Sequence, residues 1–227
     1  MLNSNSISCL TKSFHSSTSN YVKRISNSER SKFKLDFYLK QILIGNILGD
    51  VYMRRFSEKA NARIIFRQGS INASYLLHLY NLYQEFVTTP PAVQSITDKN
   101  TGKIRYNLSF ATLALPCFNE LYEAFYLEGT KIIPNNIADL LSEVSLAYWI
   151  MDDGSFTGSG LKLHTNAFSL EELNLLIKAL DKNFSIKASV NVSNREKSQF
   201  SLYISKNQMS LVKDLVINIC IRICYIN

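Results

Sequence analysis

Apolar residues recur at helical spacing from residue 35, at Leu35, Tyr38, Leu39, Ile42, Leu43 and Ile47, which predicts a helix running to the carboxylate of Asp50. Short strands are expected at 51–56 and 62–68, then a helix over 73–86 that Pro90 and Pro91 stop. A hairpin follows, with arms 93–97 and 103–110 about a turn at 98–102. In its second arm Ile104, Tyr106, Leu108 and Phe110 alternate with Lys103, Arg105, Asn107 and Ser109. The first set is expected to face a core and the second to form a basic, hydrogen-bonding surface. A helix over 116–125 closes this run, and 129–134 reads as a linker.

The same order then returns. A helix over 142–153 is followed by strands near Phe156 and at 161–167, a helix opened by the capping box of Ser169 and Glu172, strands at 186–193 and 199–204, and a last helix from about Asn207. Here too the strands alternate: Lys162, His164 and Asn166 share one face, as do Ser189, Asn191 and Ser193, and as do Gln199, Ser201 and Tyr203. Two helix-strand-strand-helix-strand-strand-helix runs imply a pseudo-twofold molecule of mixed α/β class, α+β in architecture.

Composition narrows the partners. The chain of 227 residues carries a net charge of +7, which favours a polyanion or an anionic membrane surface. Residues 1–34 hold six basic residues against Glu29 alone, so +5 lies in this leader and +2 in the rest. The leader is Ser- and Asn-rich, basic and acid-poor; it reads either as a mitochondrial transit segment, or as a disordered basic arm or the remnant of a fused upstream reading frame. Basic residues of the body therefore matter only if one face collects them. Cys9, Cys117, Cys220 and Cys224 show no CxxC spacing, so neither a zinc site nor a disulfide framework is indicated. No apolar run approaches the ~20 residues of a bilayer span.

Residues 146–154, Leu-Ala-Tyr-Trp-Ile-Met-Asp-Asp-Gly, place two carboxylates at the end of an apolar helix. That end carries the negative pole of the macrodipole, so a compensating cation is required, and a divalent metal would serve. Taken alone, Asp152-Asp153-Gly154 is a helix-ending turn. Residues 43–51, Leu-Ile-Gly-Asn-Ile-Leu-Gly-Asp-Val, present the same feature at Asp50, with Gly45 and Gly49 one turn apart for close backbone approach. Trp149 and Met151 are read as core, His78 as a partly buried histidine, and Cys220 and Cys224 as buried thiols.

The two nonapeptides, about a hundred residues apart and each opening one αββαββα run, resemble the paired motifs of the LAGLIDADG homing endonucleases in their single-chain, two-motif branch. The resemblance extends from about residue 35 to 209 and includes the linker Lys131-Ile132-Ile133-Pro134-Asn135-Asn136. It implies an N-terminal repeat with linker over 35–134, a C-terminal repeat over 135–227, and a saddle-shaped DNA-binding surface. Asp50 and Asp153 become the catalytic and metal-binding acids, the backbone carbonyls of Gly49 and Asp152 complete the metal shell, and Lys131 is the basic residue of the first half. The implied cofactor is Mg2+, with Mn2+ able to substitute, and the implied product is a staggered double-strand break. The chain is expected to act as a monomer on a long, asymmetric duplex DNA site, away from membranes and in the mitochondrion. Candidate base readers are Arg63, Arg67, Lys103, Arg105 and Asn107 in the first half, and Lys162, His164, Asn166, Asn191 and Gln199 in the second. Arg54, Arg55, Arg195 and Lys197 are candidate phosphate contacts.

One departure stands out. The second basic residue belongs in a C-terminal stretch that here reads Cys220-Ile221-Arg222-Ile223-Cys224-Tyr225-Ile226-Asn227, with Arg222 as the substitute. Two alternatives therefore accompany the endonuclease: an intron RNA maturase on the same scaffold, and a catalytically decayed DNA-binding relative.

Overall fold

The structure, a computed structural model, describes residues 25–99, 101–194, 196 and 199–224. Its elements run α1 (Phe37–Leu48), β1 (Tyr52–Arg54), β2 (Arg63–Gly69), α2 (Ala73–Tyr83), β3 (Ala92–Thr97), β4 (Ile104–Ala111), α3 (Asn119–Phe125), a short ribbon β5 (Tyr126–Leu127) and β6 (Thr130–Lys131), α4 (Glu143–Asp153), β7 (Gly154–Phe156), β8 (Gly160–Leu163), α5 (Leu170–Phe184), β9 (Ala188–Asn194), β10 (Gln199–Ser205) and α6 (Met209–Cys224). The two antiparallel sheets share one strand order, β1-β2-β4-β3 and β7-β8-β10-β9. Both predicted αββαββα runs are thus present.

Two compact units divide these elements. One contains Met53–Phe118 with the described residues up to Lys34, the other Leu35–Tyr52 with Asn119–Asn227. The first motif helix therefore belongs to the same compact unit as the second.

Within the first unit, Ile64 and Phe66 of β2 alternate with outward Arg63, Ile65 and Arg67, and Phe66 stacks on Phe110 at 4.5 Å between ring centroids. Tyr83 of α2 packs on Phe66 at 4.9 Å. The predicted core face of β4 holds only in part. Leu108 and Phe110 are buried, but Ile104 and Tyr106 are 58% and 38% exposed, because the first half of the strand, paired only with β3, lies beyond the strand positions that β2 reaches. Lys103 precedes the strand and sits in the turn, where Asp98 N–H donates to its carbonyl.

In the second unit, Leu161, Leu163, Leu202 and Ile204 form the buried sheet face, and α5 contributes Leu173, Leu176, Ala179 and Leu180. Ser169 and Glu172 form the expected capping box. The centre is the pair α1 and α4. Helix α1 begins at Phe37 rather than Leu35 because Asp36 caps it, accepting from Leu39 N–H. It is buried nearly all round, from Leu39 and Gln41 to Leu48, as a helix enclosed by protein should be. Trp149 is fully buried as predicted, whereas Met151 and Cys220 are half-buried rather than buried, and the side chain of Cys224 lies outside the described residues. His78, in the first unit, is buried.

The linker expectation requires correction. Residues 126–131 form a two-stranded ribbon, with Tyr126 paired to Lys131 and Leu127 to Thr130. Glu128 and Gly129 both have positive φ, 50° and 80°, the geometry of a two-residue hairpin turn whose twist matches its strands. The consequence is a fixed position for Lys131.

Close approach of α1 and α4 rests on Gly45. A Cβ there would collide with the Ser145 carbonyl and come within 2.9 Å of Tyr148 Cβ, and backbone on one side and a ring-bearing residue on the other cannot yield cheaply. Gly45→Ala should destabilise the protein by ~1–3 kcal/mol despite alanine's better helix propensity, read as a lowered midpoint in denaturant unfolding.

Candidate active site

The chemistry-bearing groups of the two motifs lie within one compact unit. Helix α1 ends at Leu48 with Gly49 as its C-cap, so Asp50 stands just beyond the helix and is exposed. Helix α4 continues through Asp153, with Gly154 as its C-cap, so Asp153 is the last helical residue and is half-buried. Each acid thus stands at the C-terminal end of its own helix, but the two differ in solvation.

Their electrostatics record the difference. Asp153 is pushed up to about 7 by burial first and by the charge of Asp50 second, with Lys131 pulling the other way. Removing a carboxylate from water and setting another anion beside it both disfavour ionisation. Lys131 is the counter-charge. Its ammonium donates to the carbonyls of Gly49 at 3.0 Å and Val51 at 2.8 Å, at the negative end of α1. Burial pulls Lys131 down to about 8, while Asp153, Asp152 and Asp50 act to keep it charged. The cation that the sequence pattern required is therefore supplied, in part, by the protein.

A polar lock that sequence reasoning passed over joins the helices. Asn46, fully buried, donates through Nδ2 to Asp152 Oδ2 at 3.0 Å. The Asp152 carboxylate lies so close to Gly49 that a Cβ there would come within 2.8 Å of Oδ2. Asp152 thus braces the turn whose carbonyl holds Lys131. The signal was visible: Asn46 is the one amide in the apolar stretch 42–48.

The remaining candidates are dispersed by element. Arg63 and Arg67 share the outward face of β2. Through the pairs Arg67 with Ser109 and Gly69 with Asn107, that face also carries Asn107 and, two residues on, Arg105. Arg54 is exposed on β1, its guanidinium 4.9 Å from the Phe56 ring centroid, and Arg55 follows the strand. Lys162 is on β8 opposite Ser155 and Tyr203, and Asn191 is on β9 opposite Ser201. Gln199 sits at an irregularity, opposite Asn194, because the register shifts before Phe200. The strand predicted over 161–167 ends at Leu163, which leaves His164 and Asn166 beyond it. His164 N–H donates to the Asp153 carbonyl at 3.0 Å, and its Nε2 is 3.0 Å from Ser155 Oγ, so its main chain is tied to the end of α4 and its ring lies against Ser155 of β7. Arg195 and Lys197 lie outside the described residues, as do the leader to residue 24 and the side chain of Arg222.

The donor set can be tested against a divalent ion. Among the described residues no group of three or more His, Cys, Asp or Glu could hold a metal unaided. Two carboxylates with nearby main-chain oxygens suit Mg2+, which keeps waters and takes further oxygens from phosphate rather than from an all-protein cage. The elevated Asp153 marks an anion pair that gains from an added cation. The residues fit the group, though the Gly49 carbonyl expected as a ligand already accepts from Lys131.

Comparison with known proteins gives a consistent result. The sequence profile described as the LAGLIDADG DNA endonuclease family matches residues 40–212. A cytochrome b mRNA maturase bI2 of Debaryomyces hansenii is 34% identical over 181 residues, covering 78% of this chain and 68% of that protein. Its namesake in Saccharomyces cerevisiae is 32% identical, and there the match covers 80% of this chain but only 45% of the relative. A probable intron-encoded endonuclease 1 of Wickerhamomyces canadensis is 30% identical over 78% of each. Among solved structures, the homing endonuclease I-WcaI bound to its DNA recognition sequence superimposes with a TM-score of 0.78 at 27% identity, over 87% of this chain and 89% of that one.

A pH dependence follows from Asp153. Its folded pKa, about 7, lies above the ordinary value of 3.8, so between those values the folded state binds the proton that the unfolded state has lost. Stability contributed by the protonated form is complete below the lower value and declines as pH rises toward the upper one. Asp153→Asn should therefore stabilise the metal-free protein at pH 7 by at least about 1 kcal/mol, with no gain at pH 3.5, as read by denaturant unfolding at both values.

Proposed function

The chain belongs to the LAGLIDADG DNA endonuclease family, and on that premise we propose that it is a site-specific, divalent-metal-dependent endonuclease that hydrolyses one phosphodiester bond in each strand of duplex DNA, leaving a staggered break. The observation that carries this reading is the junction of Asp50 and Asp153 at the ends of two abutting helices, with Lys131 held beside them. Asp50 and Asp153 would hold the cation, Mg2+ or Mn2+, which when bound supplies a more acidic water and charge stabilisation for the leaving oxygen. The carbonyls of Gly49 and Asp152 are the further oxygens proposed for it.

The chain's own groups do the rest. Lys131 brings a positive charge to the place where negative charge grows on the phosphate, and burial makes that charge effective. Its hydrogen bonds to Gly49 and Val51 fix it before substrate arrives. Asp152, tied to Asn46, holds the Gly49 turn in place. The main chain of His164, just after β8, is tied to the Asp153 carbonyl at the end of α4.

Duplex DNA is the proposed partner, with one chain spanning an asymmetric site. Arg63, Arg67, Arg105 and Asn107 on one sheet, and Lys162 and Asn191 on the other, are proposed to meet base edges. Lys103 in its turn, His164, Asn166 and Gln199 would contact the same strands' flanks. Arg54, Arg55, Arg195 and Lys197 are assigned to phosphates, which position rather than specify. Residues 35–134 and 135–227 are proposed as the two repeats after a leader, and the relatives named for cytochrome b mRNA favour a mitochondrial setting. The same relatives support a second reading, that of an RNA maturase.

The two readings separate experimentally. Purified protein with Mg2+ should cut an intron-free duplex of the host locus at one position, and Asp50→Asn or Asp153→Asn should abolish cutting while retaining binding. Binding without a cut in the wild type would instead indicate a decayed nuclease, and rescue of splicing of the cognate intron RNA would establish the maturase. Lys131→Met should slow single-turnover cleavage by about 100-fold with little change in DNA affinity.

A further inference from the structure

We infer that the two sheets read their half-sites by different chemistry: the sheet of β1, β2, β4 and β3 is an arginine face that demands guanines, and the sheet of β7, β8, β10 and β9 is a hydroxyl and amide face that tolerates base changes. This rests on the proposal that the sheets read duplex DNA.

Neither set of described strands carries an acidic residue, so the difference lies in the bases and amides. In the first sheet Arg54, Arg63, Arg67 and Arg105 are the basic residues. In the second, Lys162 stands alone. Register places the first group together. Arg67 pairs with Ser109, Gly69 with Asn107, Gln94 with Asn107 and Ile96 with Arg105, so Arg67, Arg105, Asn107 and Gln94 share one face. Arg67, Arg105 and Gln94 are exposed on it. The corresponding face of the second sheet presents Ser155, Lys162, Tyr203 and Ser189 in one row, by the pairs Ser155 with Lys162, Lys162 with Tyr203 and Tyr203 with Ser189. Asn191 lies in the next row, opposite Ser201. The sequence between the paired strands does not offset this contrast. Residues 98–103 contain Asp98, Lys99 and Lys103, and residues 195–198 contain Arg195, Glu196 and Lys197, a net +1 in each.

Charge of this kind has a definite meaning in a major groove. Arginine offers a planar fork that matches the O6 and N7 acceptors of guanine, whereas serine accommodates any base and asparagine favours adenine. Arg63 lies on the same outward face of β2 as Arg67 and is half-buried there. On the second face the polar groups are partly spent internally: Tyr203 donates to the Ser159 carbonyl at 3.2 Å, and Ser201 is fully buried.

The test is binding selection from a pool of randomised duplex DNA, using the full chain without added divalent cation so that bound duplexes stay intact. The expected pool is lopsided, with guanines fixed in one half-site and weak preference in the other. Arg67→Ala or Arg105→Ala should then relax the guanine preference by about 5- to 150-fold at single positions of the informative half, while Ser189→Ala and Asn191→Ala should change affinity by less than about 5-fold. All four are surface positions, and unchanged thermal midpoints would verify folding. Information spread evenly across the two halves would overturn the inference. So would a uniform loss of affinity for all sequences in the arginine variants with a shallower salt dependence, since that is phosphate contact. Failure to enrich any duplex would instead sink the DNA-reading proposal on which the inference rests.

Discussion

Two like charges at the ends of two abutting helices are the constraint on which the site depends. Helix α1 and helix α4 each deliver a carboxylate to the negative pole of a helix, where an anion is disfavoured. Burial and the nearness of Asp50 together lift Asp153 to about 7. Such an arrangement survives only if packing elsewhere over-determines it. Gly45 permits the close approach, the Asn46 amide ties α1 to Asp152 across the contact, and the hairpin at Glu128 and Gly129 delivers Lys131 to the carbonyls of Gly49 and Val51. Each of these devices makes sense only in light of the others.

Much of this was legible in the chain because periodicity encodes faces. Both motif helices, the capping box at Ser169 and the four long strands were readable from spacing and end signals, and the duplicated order gave the fold class. What could not be read follows from pairing. The alternation of β4 is uninterrupted in sequence, yet Ile104 and Tyr106 are exposed, since burial depends on where neighbouring strands stop. Likewise His164 and Asn166 continue the alternation of β8 but leave the sheet after Leu163.

The ribbon around Lys131 illustrates a different limit. Glycine at 129 suggested a break, and a linker is the ordinary reading of a glycine followed by proline a few residues on. Only the positive φ at Glu128, a residue type that seldom adopts it, converts the break into a two-residue hairpin turn. Position of the lysine is therefore set by one uncommon backbone angle. Asn46 escaped for the opposite reason: its neighbours are so apolar that it looked like part of the core, which it is, while its amide does polar work there.

The asymmetry between the two motifs carries into the energetics. Asp50 is exposed and past the end of its helix, whereas Asp153 is helical and half-buried. Position 152, where the first motif has Gly49, is an aspartate whose carboxylate packs against that same glycine. The first motif supplies the backbone groove and the second supplies the side chain that fills it, so neither could be replaced by a copy of the other. Two glycines would leave the Asn46 amide without the acceptor it now has, and two aspartates would force a Cβ into the space the carboxylate occupies. A duplicated fold has in this way become a single site whose halves are complementary rather than equivalent, and the unequal charge of the two sheets extends the same principle from the acids outward to the strands.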